Sequence, residues 1–155
     1  MENVNLQIAS LRDNPHLLNE CHSLVRDCFN DLDLIHNQLD DTLTSNETLP
    51  QAYLLIKNGI VAAWVGLCVN DPIQTDVYTP IVGPLMVAES ERNFGYGALL
   101  LYHARNEAGK LGFDKVYLTS SHIGYYERFG FREIDMTKYF NDNPTKVYVA
   151  DVPKH

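Results

Sequence analysis

The sequence predicts one α+β domain built around a mixed sheet of six to seven strands with about four helices. Three observations carry that expectation. At 155 residues the chain is one domain by length, and its 45% hydrophobic content is enough to build a single buried core. Two strand-like runs joined by Asn58-Gly59 give the strongest hairpin signal in the chain. The apolar run from Pro80 to Val87 passes through a glycine-containing turn into a helix-patterned stretch that ends near Gly109.

Val4 to Leu11 alternates apolar and polar residues, with Val4, Leu6 and Ile8 on one side, which is the period of a half-buried first strand. Asn14 before Pro15 reads as an N-cap with proline at the first helical position, and Leu17, Cys21, Leu24, Val25 and Cys28 recur at helical spacing to about Phe29. A second short helix is predicted from Asp33 to about Leu43, with Leu34, Ile35 and Leu39 as its apolar side; Thr44 to Pro50 is a polar loop. Ala52 to Lys57 and Ile60 to Val69 are the hairpin strands, because Asn-Gly suits the positive-φ positions of a type I′ turn. Asn70 to Thr79 is a loop and Ile81 to Val87 a strand. The helix from Gly95 carries Leu100, Leu101, Ala104 and Ala108 as a core stripe. A strand from Lys115 to Thr119, a short helix from about Gly124 to Phe129, and two last strands near Arg132 to Thr137 and Thr145 to Val149 complete the chain.

The net charge of -8, with 12 scattered basic residues, argues against a nucleic-acid surface, which needs clustered Lys and Arg. The same field weakly favours a cationic or polyamine-like acceptor. Cys21, Cys28 and Cys68 form an odd count without a Cys-x-x-Cys pair, as expected of buried reduced thiols in a cytoplasmic protein. His16, Cys21 and His22 lie close in sequence but do not converge on one helix face, so no metal site is expected there. Met1 to Asn5 lacks the basic and apolar regions of a signal peptide, and no apolar run approaches the roughly 20 residues that span a bilayer. Neither a membrane nor a nucleic acid is expected as a partner.

The segment richest in chemistry is Arg92-Asn93-Phe94-Gly95-Tyr96-Gly97-Ala98. A strand that turns through glycines into a helix N-terminus suits a pyrophosphate. First-turn N–H groups have no intrahelical partner, the helix dipole adds positive charge, and glycine lets an anion approach closely. Arg92 adds a full charge at the same place. The segment has no Gly-Lys-Ser/Thr ending of a nucleoside-triphosphate loop, and Gly95-x-Gly97 lacks the third glycine of a dinucleotide fingerprint.

A second segment, Tyr125-Tyr126-Glu127-Arg128-Phe129-Gly130-Phe131, follows the strand-like run to Thr119. In this order the two segments resemble the fingerprint of the GCN5-related N-acetyltransferase (GNAT) family: a strand, Arg/Gln-x-x-Gly-x-Gly/Ala, a helix, a second strand, and a short helix carrying Tyr-x-x-x-Gly-Phe. The resemblance is strong from Pro80 to Phe131 and looser over the rest. It implies a GNAT-type, mostly antiparallel sheet, one domain over residues 1–155, acetyl-CoA as co-substrate and no metal. It also implies that coenzyme A lies where two neighbouring parallel strands splay apart. Its pantetheine arm would follow the backbone of Leu85-Met86-Val87, and Arg92, Asn93, Phe94, Gly95, Tyr96, Gly97 and Ala98 would form the phosphate turn.

Acyl transfer from a thioester to an amine needs a held donor, a deprotonated amine, a stabilised carbonyl oxygen and a proton for the departing thiolate. The resemblance gives the last role to Tyr126; Tyr125 has the wrong offset. A phenol with a pKa of about 10 matches a thiol of about 8.5 well enough to donate. The base is less well marked. Ile81 to Val87 carries no titratable side chain, and Glu89 and Glu91 lie beyond the strand. His122 follows Thr119-Ser120-Ser121 near the expected cleft, and water is the default relay. Asp71, Asp76, Tyr78 and the Asp31 to Leu43 region are candidates for acceptor contact, because family loops at those positions form the acceptor side.

The first reading is therefore an acetyl-CoA-dependent N-acetyltransferase acting on a primary amine by direct attack in a ternary complex, since no Ser or Cys motif supports a covalent intermediate. The alternative is a non-catalytic acyl-CoA-binding sensor or partner module. A plain structural domain would need both motifs by coincidence. The acceptor, a small-molecule or peptide amine, stays open, as do longer acyl-CoA donors and a homodimer.

Overall fold

A computed structural model describes residues 4–28, 32–70, 73–75, 77–120 and 124–153. Phe29, Asp31, Asp71, Asp76 and His122 lie outside the described residues. Seven strands form: β1 (Leu6–Ser10), β2 (Gln51–Lys57), β3 (Ile60–Cys68), β4 (Ile81–Val87), β5 (Lys115–Ser120), β6 (Arg132–Lys138) and β7 (Pro144–Asp151). The α-helices are α1 (Leu18–Cys28), α2 (Asp33–Thr44) and α3 (Tyr96–Lys110). The sheet order is β1-β2-β3-β4-β5-β7-β6. β1 with β2, β5 with β7 and β6 with β7 run antiparallel, whereas β4 and β5 run parallel with Ile81 opposite Tyr117. The sheet is thus mixed and mostly antiparallel, the class expected from sequence.

The chain gathers into two compact units. One comprises the chain up to Gly66 together with Pro84–Leu100. Its hairpin turn holds Asn58 at φ 52 and Gly59 at φ 83, the two positive values that a type I′ turn requires. α1 is led in by a 3-10 turn over Pro15–Leu17, with proline at the expected start. Asn14 makes no side-chain cap bond; its amide donates instead to the Ser10 carbonyl at 3.0 Å. Leu11, Leu24, Leu39, Leu54, Trp64 and Met86 belong to one buried cluster. Trp64 is fully buried, and its indole N–H donates to the Cys21 carbonyl at 3.2 Å. Leu34, expected on the apolar side of α2, is 61% exposed. Ile35, Leu39 and Thr42, spaced i, i+4 and i+7, form the inward stripe, and Leu34 stands one residue round from it.

The other unit comprises Leu67–Gly83 and the chain from Leu101 onward. Leu101, Ala104 and Ala108 bury the expected face of α3, and Val147, Tyr148 and Val149 are buried in β7, which lies between β5 and β6. β6 is the edge strand and is exposed at all but one position. The short helix predicted from Gly124 narrows to a 3-10 turn over Tyr126–Phe129, closed by Gly130 at φ 88. Among the described residues, no helix is long and apolar enough to cross a membrane.

Candidate active site

In the first unit, β4 leads into the glycine turn. Met86 is fully buried, while Leu85 and Val87 are half-buried. A 3-10 turn over Glu89–Glu91 then brings the chain to Arg92. Asn93 follows at φ 70 and Gly95 at φ 80. Asparagine is among the few side chains that tolerate this region, and glycine enters it without strain. A Cβ added at Gly95 would meet no atom within 4 Å, so that face of the turn is open. The Leu99 N–H donates to the Gly95 carbonyl at 3.2 Å, which makes Gly95 the start of α3. The N–H groups of Tyr96, Gly97 and Ala98 therefore have no carbonyl one helical turn earlier. The first turn of α3 carries no acidic side chain to compete with an anion. Arg92, Asn93 and Phe94 are exposed, Tyr96 and Gly97 are buried and Ala98 is half-buried.

Side chains brace this turn. Arg92 Nε donates to the Val87 carbonyl at 3.3 Å, and the Cys28 thiol donates to the same oxygen at 3.2 Å. Lys57, the last residue of β2, pairs with Glu91 at 2.9 Å and sits 5.6 Å from the Phe94 ring centroid. The bond to Glu91 raises the Lys57 pKa. Of the two glutamates beyond β4, Glu91 is thus held by Lys57. Glu89 lines an open cavity of about 680 Å³ with Leu24, Asp27, Ala88 and Ser90.

In the second unit, Tyr126 opens the 3-10 turn and packs, half-buried, among aromatic rings. Tyr125 stands at 4.9 Å edge-on, Phe131 at 6.2 Å edge-on and Tyr148 at 6.0 Å, centroid to centroid. Burial, seconded by the neighbouring Tyr125, Tyr139 and Tyr148, pushes the Tyr126 phenol up to about 12. It keeps its proton at neutral pH and is a donor there. The Phe131 N–H donates to the Tyr126 carbonyl and the Gly130 N–H to the Glu127 carbonyl, each at 3.3 Å. Arg105 of α3 also reaches this turn, donating from Nη1 to the Phe129 carbonyl at 2.8 Å. Tyr78 donates to Asp135 and packs on Tyr117 at 5.2 Å between centroids, so the hydroxyl of this acceptor candidate is already engaged.

His22 does not join His16 and Cys21. Its Nε2 meets Asp40 Oδ1 at 2.8 Å and its Nδ1 meets His36 Nδ1 at 2.5 Å, so His22 links α1 to α2. Cys21 is fully buried, and burial foremost pushes its thiol up to about 12. Among the described residues, no group of three or more His, Cys, Asp or Glu is arranged to hold a metal ion.

The model of the acetyltransferase (GNAT) family matches residues 16–131. The chain belongs to the GNAT family. Solved structures share its fold. A Desulfovibrio desulfuricans protein assigned to the same family is 17% identical, with 97% of this chain and 100% of that one covered at a TM-score of 0.75. Aminoglycoside 6'-acetyltransferase type Ii is 18% identical, with 96% and 99% covered at 0.74. A GNAT N-acetyltransferase from Escherichia coli in complex with CoA is 18% identical, with 99% and 84% covered at 0.74. No match was found among curated proteins. GNAT membership gives the chemistry in outline, coenzyme A-dependent acyl transfer. The GNAT motifs lead directly to the turn and to Tyr126. Lys57 and Arg105 carry no such signal, because the partners they hold lie 34 and 24 residues away in sequence.

Proposed function

We propose that this chain moves an acetyl group from acetyl-CoA to a primary amine by direct attack in a ternary complex. The observation that carries the proposal is the Arg92–Ala98 turn, with Gly95 at φ 80 beneath open space, an exposed Arg92 and a first helical turn without acidic side chains. That is the chemistry of a pyrophosphate cradle. The N–H groups of Tyr96, Gly97 and Ala98 and the Arg92 guanidinium would hold the phosphates; the backbone of Leu85, Met86 and Val87 would receive the pantetheine arm. Bound acetyl-CoA supplies the acyl group already activated as a thioester, which calls for no metal. Tyr126 Oη holds a proton ready for the leaving sulfur.

The acceptor must lose a proton, and a lysine-like amine has a pKa of about 10.4. With β4 free of titratable side chains and Glu91 paired to Lys57, water is the proposed relay, and His122 stands as the side-chain candidate. Asp27 and Glu89 line the open cavity, and with the net charge of -8 they favour a cationic small-molecule or peptide amine. We read the chain as one functional domain of a cytoplasmic protein, in keeping with its odd count of cysteines, Cys21, Cys28 and Cys68, without a Cys-x-x-Cys pair.

The test is thiol release from acetyl-CoA across a panel of primary amines, polyamines, aminoglycosides and peptides. Turnover is expected with at least one amine, on a limb rising between about pH 6.5 and pH 9 as acceptor and relay deprotonate. The engagement of Glu91 by Lys57 favours one alternative, an acyl-CoA sensor without turnover. Tight, saturable acetyl-CoA binding by calorimetry with no acceptor-dependent thiol release across the panel would establish that alternative instead.

A further inference from the structure

We propose that Arg105 is the positioning residue for Tyr126, holding from α3 both the end of the tyrosine's turn and the ring that backs it. The inference rests on the reading of Tyr126 as the proton donor. The Arg105 guanidinium makes four contacts. Nη1 donates to the Phe129 carbonyl at 2.8 Å, while Nη2 and Nε donate to the Asp151 carbonyl at 2.7 Å and 3.2 Å. Its central carbon lies 5.5 Å from the centroid of the Phe131 ring. The Phe129 carbonyl ends the 3-10 turn that Tyr126 begins, and helix ends leave such carbonyls in need of donors. Phe131 in turn donates its N–H to the Tyr126 carbonyl and sets its ring edge-on to the Tyr126 ring. Arg105 thus grips Tyr126 twice, through the backbone at Phe129 and through the ring of Phe131.

Only a planar fork of N–H donors can serve two carbonyls and lie over an aromatic face at once; a lysine ammonium cannot reproduce this. The glycine of Tyr-x-x-x-Gly-Phe gains a second reason here. Gly130 sits at φ 88, and a Cβ added to it would stand 3.3 Å from Arg105 Nη1, a tight contact that the guanidinium would have to yield to by a few tenths of an ångström. The motif therefore presents the tyrosine and also leaves room for the arginine that aims it.

The test compares Arg105→Gln and Arg105→Lys with Tyr126→Phe. Arg105→Gln is expected to lower kcat by about tenfold to a hundredfold while KM for acetyl-CoA stays within about twofold, as loss of a transition-state contact does. Arg105→Lys, which keeps the charge without the fork, should fall between it and the wild type. The double variant of Arg105→Gln with Tyr126→Phe should be no slower than Tyr126→Phe alone, because both changes remove one function. A second readout is independent of turnover. In protein labelled with 13C on tyrosine rings, the Tyr126 signals are identified by their loss in Tyr126→Phe, and they should move in Arg105→Gln while most other tyrosine signals stay. A folded Arg105→Gln variant with unmoved Tyr126 signals, or an additive double variant, would overturn the proposal. Should Arg105→Gln not fold, Arg105→Lys takes its place in both measurements, and unmoved Tyr126 signals or additivity there would overturn the proposal equally. If Tyr126→Phe itself keeps full kcat, the catalytic reading of Tyr126 fails, and the ring signals alone decide whether Arg105 sets its position.

Discussion

A phenol pushed up to about 12 holds its proton firmly, so Tyr126 is always charged with a proton to give but gives it at some cost. Against an ordinary thiol the gap is roughly 3.5 pKa units, about 5 kcal/mol, and it narrows where burial raises the thiol as well. Tyr126→Phe is expected to lower kcat by about 10² to 10⁴-fold with acetyl-CoA affinity nearly unchanged by calorimetry. A variant with full kcat would reduce Tyr126 to packing. Because the proton stays on Tyr126 until about pH 12, wild-type pH–rate profiles should show no falling limb from its ionisation below about pH 11. Arg92→Ala should weaken acetyl-CoA binding by about 1.5 to 3 kcal/mol, toward the lower figure because water screens an exposed guanidinium. Tyr126, Arg92 and Gly95 were candidates from the sequence, because each sits inside a short contiguous motif. Lys57 and Arg105 were not, since what gives them meaning is a carboxylate or carbonyl brought close only by folding.

Elements follow the same rule. The Asn58-Gly59 hairpin, β4 and α3 begin and end within a residue or two of their expected places, because their signals are local: a turn that needs positive φ, an apolar run, a repeating stripe. Where a signal was short or two-sided, sequence and structure part. The short helix closed by Gly130 is a 3-10 helix of four residues that starts later than expected, and of Leu34 and Ile35, both expected on the apolar side of α2, only Ile35 packs inward. The glycine turn can be tested as an element. Gly95→Ala meets no neighbour within 4 Å, yet it places a side chain at φ 80. The strain should cost about 1 to 2 kcal/mol of stability, and the methyl group would stand in the open face of the turn. Its acetyl-CoA affinity should therefore fall by more than the loss of folded protein explains, and Gly97→Val should lose affinity too. Unchanged calorimetric affinity in both variants would remove the turn from the binding site.

For the whole molecule, composition foretold enough apolar residues for a core but not how the chain partitions them. Each of the two units is assembled from separate stretches, and long-range packing of that kind leaves no local pattern to read. Alkaline stability is one property that follows from the folded chain alone. Cys21 and Tyr126 both have folded pKa values near 12, above unfolded values of about 9 and about 10. Folding thus binds their protons more tightly, and the unfolded chain gains relative stability as pH rises from about 9 toward 12. The loss by pH 10 should be about 1 to 2 kcal/mol, read as a lower urea midpoint than at pH 7; an equal or higher midpoint would contradict it. Burial of the only tryptophan has an optical consequence. Excited at the red edge, where nine tyrosines are silent, the protein should emit from Trp64 alone, at short wavelength and beyond the reach of iodide, until the first unit melts. Tryptophan light is therefore a gauge of that unit's core, while filling of the exposed Arg92 turn should pass it almost unnoticed and has to be followed by heat.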